Sequence, residues 1–129
     1  MITGEKVLEV SGKKGEGEIK GFSIGIHIDG VSVDGGNVEI GYTYTVNYGE
    51  GAGELKMRSR LLAKEDVALA KKISEEWESR GALPAEYAET VVRTVNYSGS
   101  ANGTLVARVL GLPMPQIPPK VTLKQKGKE

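Results

Sequence analysis

Hydrophobic residues alternate with polar or small residues along three segments in the first half of the chain, at residues 22–28, 38–48 and 55–61. A period of two is typical of a strand with one buried face. Short glycine-rich connections separate the segments, which favours antiparallel pairing. The sequence therefore predicts a meander of three strands, with residues 5–10 as a short additional edge strand and Ser11–Glu18 as a loop.

The period lengthens after Leu62. Apolar residues then recur at three- and four-residue steps, which is typical of an amphipathic helix, at Val67, Ala70, Ile73 and Trp77. Gly81 and Pro84 are expected to end this helix. A second helical stripe runs from Tyr87 to Leu110. The predicted fold is α+β, with an antiparallel meander of three to four strands covered on one face by two C-terminal helices.

The chain has 129 residues, enough for a single domain with one modest core. We predict one domain over residues 1–129. Within it the antiparallel sheet is placed at 18–62 and the helices at 64–110, the second helix being long. A proline-rich arm and a basic tail follow at 111–129.

Small residues interrupt the second helical stripe from Ser98 to Gly103. This segment is either a loop between two shorter helices or a narrow waist in one long helix, and the stripe that continues in phase across it favours the long helix. Small side chains let another backbone approach closely. A narrow waist suits close packing against a second helix better than against a sheet, so the sequence predicts a subunit interface at Gly99, Asn102, Gly103, Leu105 and Val106.

The arm from Leu112 to Pro119 contains four of the five prolines, set among large apolar side chains. Proline keeps such a segment extended and removes backbone donors. The arm either packs back along its own sheet or borders a groove for another polypeptide, and both can hold together. The polar face of the sheet is rich in small residues and is either an ordinary exposed face or an interface.

Seventeen basic residues balance seventeen acidic ones, so bulk charge gives no case for binding nucleic acid or an anionic membrane. Cysteine is absent, which removes disulfides and thiol chemistry and fits a reducing compartment. No apolar run approaches the ~20 residues that a membrane span needs. The first residues lack the pattern of a secretory signal. We therefore expect a cytoplasmic protein.

Candidate chemistry is sparse. The single histidine, His27, lies on the polar face of a strand, without cysteines or a second histidine to complete a zinc site. The glycine pattern at 49–54 connects two strands and opens no helix, so it is a hairpin turn rather than a phosphate loop. We predict no catalytic residue, no metal and no cofactor, and hence no enzyme.

The order of elements resembles the SecB-type protein-export chaperones, especially their archaeal and toxin–antitoxin-associated relatives. The resemblance covers residues 18–121: the meander, the break at Leu83–Pro84, Tyr87 at the start of a helix, and the proline segment from Leu112 to Val121. It implies a homotetramer that holds unfolded chains in apolar grooves without ATP. The chain departs from that family in three ways: its net charge is neutral, the terminal helix expected after the prolines is nearly missing, and the helix after Pro84 is longer than expected.

Three functions follow from these features. The first is an ATP-independent holdase that binds unfolded or apolar polypeptide segments, with client contacts predicted at Met57, Trp77, Leu112, Met114 and Ile117. The second is an oligomeric structural or adaptor protein. The third is a small-molecule binder with a pocket between sheet and helices, lined by Tyr42, Tyr44 and Trp77.

Overall fold

The computed structural model describes residues 1–115 of the chain. Four strands come first and two helices follow, as the change of hydrophobic period predicts. The elements are β1 (Ile2–Lys14), β2 (Ser23–Asp34), β3 (Asn37–Asn47), β4 (Gly53–Lys64), α1 (Val67–Arg80) and α2 (Ala85–Leu110). The α+β fold class is confirmed.

The four strands form one antiparallel sheet in the order β1-β4-β3-β2. The last three strands are the predicted meander, whereas β1 pairs with β4 on the far side. The central strands β3 and β4 bury their core-facing side chains almost completely, at Val38, Ile40, Tyr42, Tyr44, Val46, Leu55, Met57 and Leu61. The two edge strands, β1 and β2, are less covered.

Strand β1 is longer than the sequence predicts. It runs to Lys14, so the prediction of a loop at Ser11–Glu18 was wrong for residues 11–14. The sheet therefore begins at Ile2 rather than at residue 18. Gly12 explains the difference. A Cβ on Gly12 would lie 2.7 Å from Val106 Cγ1 of α2 and 2.8 Å from Leu55 Cδ2 of β4. Glycine therefore lets the strand continue beneath the helix.

Helix α1 begins with Asp66, whose carboxylate accepts a hydrogen bond from the Leu69 amide at 2.7 Å. It ends at Gly81, which has the left-handed conformation with φ 64°. Gly111 ends α2 in the same way, with φ 69°. Within residues 1–115 no helix combines the length and apolar character that crossing a membrane requires.

Helix α2 continues without a break through Ser98–Gly103, which confirms the long-helix interpretation. Its small residues contact the chain itself. Gly99 lies against the ring of Tyr44, and Gly103 lies against Pro115, whose Cγ would be 3.0 Å from a Cβ at that position. The waist therefore faces the sheet and the arm of the same chain, so our reason for expecting a second helix there was wrong.

Candidate polypeptide-binding surface

The outer side of β2 carries the first candidate surface. Within the described residues β2 pairs only with β3, so the backbone groups along its other side have no strand partner. Phe22 is 39% exposed, and three isoleucines of the core-facing row are half-buried where the sheet ends. We call this set, with the β2 backbone beside it, the apolar edge: Phe22, Ile24, Ile26 and Ile28.

Charge distinguishes the apolar edge from the opposite edge of the sheet. Strand β1 carries charged side chains over most of its length, at Glu5, Lys6, Glu9, Lys13 and Lys14. From Ser23 to Ile28, β2 carries none apart from the titratable His27. Charged residues on an edge strand oppose pairing with another chain, whereas a long uncharged edge invites it. The sheet is therefore open to a further strand on the β2 side.

The proline arm lies next to one end of the apolar edge. Phe22 packs edge-on against Tyr48, with ring centroids 6.0 Å apart. The Tyr48 hydroxyl donates a hydrogen bond of 2.5 Å to the Pro113 carbonyl. Ser100 of α2 donates one of 2.7 Å to the carbonyl of Pro115. The arm thus packs back on its own fold at least as far as Pro115, and Tyr48 joins it to the apolar edge.

The predicted client residues fall in different environments. Met57 and Leu112 belong to the core, with 2% and 5% exposure, and Trp77 of α1 is half-buried. Met114 is 44% exposed beside the arm contacts described above. Ile117 lies outside the described residues. As client contacts these five positions stay a prediction. The isoleucine row, which the sequence pattern alone assigned to the core, is half-buried like Trp77 and less exposed than Met114.

A second apolar surface follows the outer side of α2. Its residues repeat every four positions and lie on the face away from the sheet; we call them the outer stripe: Tyr97, Ala101, Leu105 and Val109. Tyr97 is 79% exposed, Leu105 63% and Val109 85%. Of the predicted subunit contacts, Leu105 lies on this stripe, whereas Val106 packs over Gly12 and Asn102 bonds to the Ser98 carbonyl. A subunit contact at these positions stays a prediction.

A carboxylate that sequence reasoning overlooked lies between the sheet and α2. Glu5 of β1 accepts hydrogen bonds from three hydroxyls on three other elements: Tyr42 of β3, Ser59 of β4 and Ser98 of α2. Ser59 also donates to the Lys6 carbonyl at 3.1 Å. These bonds link the edge strand β1 to β3, β4 and α2. Glu5 is adjacent to Lys6 in a charged stretch, so sequence gave no sign that it faces inward.

The tyrosines of β3 offer no acid–base chemistry near neutral pH. Burial, followed by the hydrogen bond to Glu5, raises the pKa of Tyr42. Burial raises the pKa of Tyr44 to about 12, with a smaller contribution from Tyr48. Both rings are packed in the core with at most 1% exposure. The binding pocket expected for a small molecule against Tyr42 and Tyr44 is therefore filled by their own side chains.

His27 lies on the exposed face of the sheet, where its Nδ1 is 2.8 Å from Asp29 Oδ1. Thr43 donates to the other oxygen of Asp29 at 2.7 Å. Partial burial alone would raise the pKa of Asp29, but the bonds from Thr43 and His27 outweigh it and lower that pKa. The threonine contacts the carboxylate rather than the imidazole, so this cluster of three residues does not pair a nucleophile with a base. Across residues 1–115 no three metal-ligating side chains converge.

Comparison with solved structures relates this arrangement to a known fold. The chain is similar to the SecB-like chaperone Rv1957 of Mycobacterium tuberculosis, solved with a ChAD peptide from the antitoxin HigA1 (Rv1956). The match has a TM-score of 0.54 and 13% identity, and covers 97% of this chain and 88% of the chaperone. This is a SecB-like fold. Neither a protein-family model nor a curated protein sequence matches the chain.

Proposed function

We propose that this protein is an ATP-independent holdase that binds unfolded polypeptide segments along the apolar edge. The observation that carries the proposal is the unpaired side of β2. There, half-buried isoleucines lie beside backbone groups without a strand partner, in a segment that has no Asp, Glu, Lys or Arg side chain. The similarity to a SecB-like chaperone solved with a bound peptide supports it. The protein acts as a binding protein rather than an enzyme, and we place it in the cytoplasm.

Binding follows from the physics of strand addition. An extended client segment pairs its backbone with the free side of β2, which requires no particular sequence. Every second client side chain then lies beside Ile24, Ile26 or Ile28 and is shielded from water. Fully burying one large apolar side chain gives about 1.5–3 kcal/mol. Because association itself costs at least about 4 kcal/mol, a single edge should hold a short segment reversibly.

Self-association would strengthen this weak contact. The outer stripe of α2 presents one apolar residue per turn, and rows spaced by four residues pack against one another at about −50° in helix pairs. We propose that the stripe joins copies of the chain into a homo-oligomer, a tetramer if the assembly follows the resemblance. Several apolar edges on one oligomer could then bind different segments of the same unfolded chain at once. This raises the overall affinity for that chain without ATP.

The experiment is suppression of aggregation of a chemically denatured test protein, diluted without nucleotide in the presence of this protein. The wild-type protein should suppress aggregation near stoichiometric ratios. Ile26→Lys, which places a charge on the apolar edge, should weaken suppression several-fold. Leu62→Lys is the matched control, because Leu62 is 40% exposed on the sheet face away from the helices. Equal activity of the two variants would refute the proposed site.

The structural or adaptor function remains the second candidate, and the outer stripe is the observation that favours it. An adaptor would use the stripe to assemble but would leave no apolar surface free for clients. A stable oligomer that suppresses no aggregation and binds no hydrophobic dye would favour the adaptor over the holdase.

A further inference from the structure

The described part of the chain ends level with the apolar edge. Its last residue is Pro115, whose Cγ would lie 3.0 Å from a Cβ on Gly103 of α2. The same Cβ would lie 3.7 Å from Leu55 Cδ1 of β4. Leu55 is paired with Val46, and Val46 is paired with Ile24. Pro115 and Ile24 therefore lie at the same level along the strands.

The arm also runs in the direction of β2. A Cβ on Gly53, the first residue of β4, would lie 3.0 Å from Leu112 Cδ2. Between Leu112 and Pro115 the arm thus advances from the level of Gly53 to that of Leu55, in the direction of β4. Strands β4 and β2 are parallel to each other because both are antiparallel to β3. A chain that keeps this direction beyond Pro115 would run parallel to β2.

The chain is long enough to reach the free side of β2. The Tyr48 hydroxyl, which is bonded to the Pro113 carbonyl, holds the arm next to the end of β3. A strand added to β2 would lie two strand spacings from β3, about 10 Å. Four extended residues, 116–119, span about 13 Å. Residue 120 can therefore lie beside β2.

The sequence that follows has the pattern of a strand with one apolar face. Val121 and Leu123 are apolar and alternate with polar residues, which is a period of two. The polar positions are Lys120, Thr122 and Lys124. The two prolines at 118 and 119 have no backbone N–H, so strand pairing can begin only at residue 120. The lysines would stand on the new outermost strand, where charged side chains oppose pairing with further chains.

We infer that residues 120–124 pair with the free side of β2 as a fifth strand, parallel to it, and cover the apolar edge when no client is bound. We call these residues the tail strand. Val121 and Leu123 would lie on the helix side of the sheet, beside the row of half-buried isoleucines. The pairing would satisfy the backbone groups on the outer side of β2, which have no strand partner within residues 1–115.

The tail strand would regulate the holdase, an inference that rests on the proposed function of the apolar edge. A segment tethered by a short linker has an effective concentration of about 1 mM, so it excludes segments that bind weakly. Parallel pairing is slightly less stable per residue than antiparallel pairing, and the tail strand offers only two apolar side chains. A client with a longer apolar segment can therefore displace it. The holdase would consequently select strongly apolar segments.

Amide hydrogen exchange of the full chain without client tests the pairing. Val121→Lys combined with Leu123→Lys places charges against the isoleucines and should speed exchange between Ser23 and Ile28 several-fold, with exchange in β1 unchanged. Thr122→Lys is the matched control, because the period of two places Thr122 on the opposite face. It should exchange as the wild type does. In the wild type, a client that displaces the tail strand should slow exchange further, since it pairs more stably.

A disulfide would locate the tail strand, because the chain has no cysteine of its own. Thr122→Cys combined with His27→Cys should form a disulfide, since His27 lies on the exposed face of β2. Thr122→Cys combined with Lys6→Cys of β1, at the other edge of the sheet, should form none.

Unchanged exchange in the double lysine variant, with no disulfide at His27, would overturn the tail strand. So would exchange in β2 that slows only as the protein concentration rises, which would assign the apolar edge to a second copy of the chain.

Aggregation suppression separates the regulation from the pairing. The double lysine variant should suppress aggregation at a several-fold lower concentration than the wild type. Weaker suppression by the variant would show that the tail strand helps to hold clients and would overturn its inhibitory role. If neither protein suppresses aggregation, the holdase function fails, and the exchange and disulfide results still decide whether the tail strand pairs with β2.

Discussion

Gly99 of α2 lies directly against the ring of Tyr44 on β3, so that a Cβ on the glycine would come within 2.6 Å of Tyr44 Cγ. No real side chain tolerates such a contact. Gly99, in the middle of the helix, therefore leaves the space that the ring of Tyr44 occupies. Helix α2 can lie close over β3 only because this turn carries no side chain.

Gly99→Ala should consequently destabilise the protein. In an exposed helix the same change stabilises by about 0.5–1 kcal/mol, since alanine is the better helix former. Here overpacking against Tyr44 should cost about 1–3 kcal/mol. Urea denaturation would measure the free energy of unfolding. Repeating the change in a Tyr44→Leu background should reduce the loss, and a Gly99→Ala protein more stable than wild type would contradict the contact.

Glu5→Gln should loosen the edge strand β1. The glutamine offers one acceptor oxygen where three hydroxyls now donate to a carboxylate, from Tyr42, Ser59 and Ser98. We expect a loss of about 1–3 kcal/mol in the free energy of unfolding and faster hydrogen exchange in β1. Glu9→Gln is the control, since its pair with Arg58 is exposed and should contribute less than about 1 kcal/mol. Equal losses of unfolding free energy in the two variants would show that the hydrogen bonds of Glu5 do not stabilise β1.

Stability should fall at alkaline pH because of Tyr44. Its pKa of about 12 in the folded state exceeds the ordinary value of 10.0, so folding favours the protonated phenol. This stabilisation is complete below pH 10 and is lost as pH rises towards 12. Thermal melts across this range would show the fall. Tyr44→Phe should make the fall less steep without abolishing it, because burial also raises the pKa of Tyr42 and of Tyr87. The change should cost little at neutral pH because the Tyr44 hydroxyl has no hydrogen-bond partner within residues 1–115. An unchanged slope would exclude Tyr44 as its source.

The outer stripe of α2 should control assembly. Leu105→Glu combined with Val109→Glu places two charges on an apolar surface and should reduce the particle mass measured by light scattering. Val92→Glu tests the same helix outside the stripe, at a residue 41% exposed. It should leave the mass unchanged. A wild-type protein that is already monomeric would refute the interface.

Hydrophobic period predicted the order and type of the elements, including the long helix across Ser98–Gly103. It could not identify the edges of the sheet, because period two assigns a face to each residue but says nothing about neighbouring strands. Ile26 and Tyr44 both fit a core-facing position, yet only Ile26 lies at the rim. The contact of Gly99 with Tyr44 and the inward direction of Glu5 depend on the tertiary pairing of distant segments. Local sequence patterns do not predict such pairing.

Amide hydrogen exchange along β2 tests the central claim most directly. Exchange would be measured with and without a client that cannot fold, such as a reduced and alkylated test protein. The account predicts that the client slows exchange between Ser23 and Ile28, where the strand edge becomes paired, and leaves β1 unchanged. Client binding that protects β1 or neither edge, while β2 exchanges as before, would contradict it.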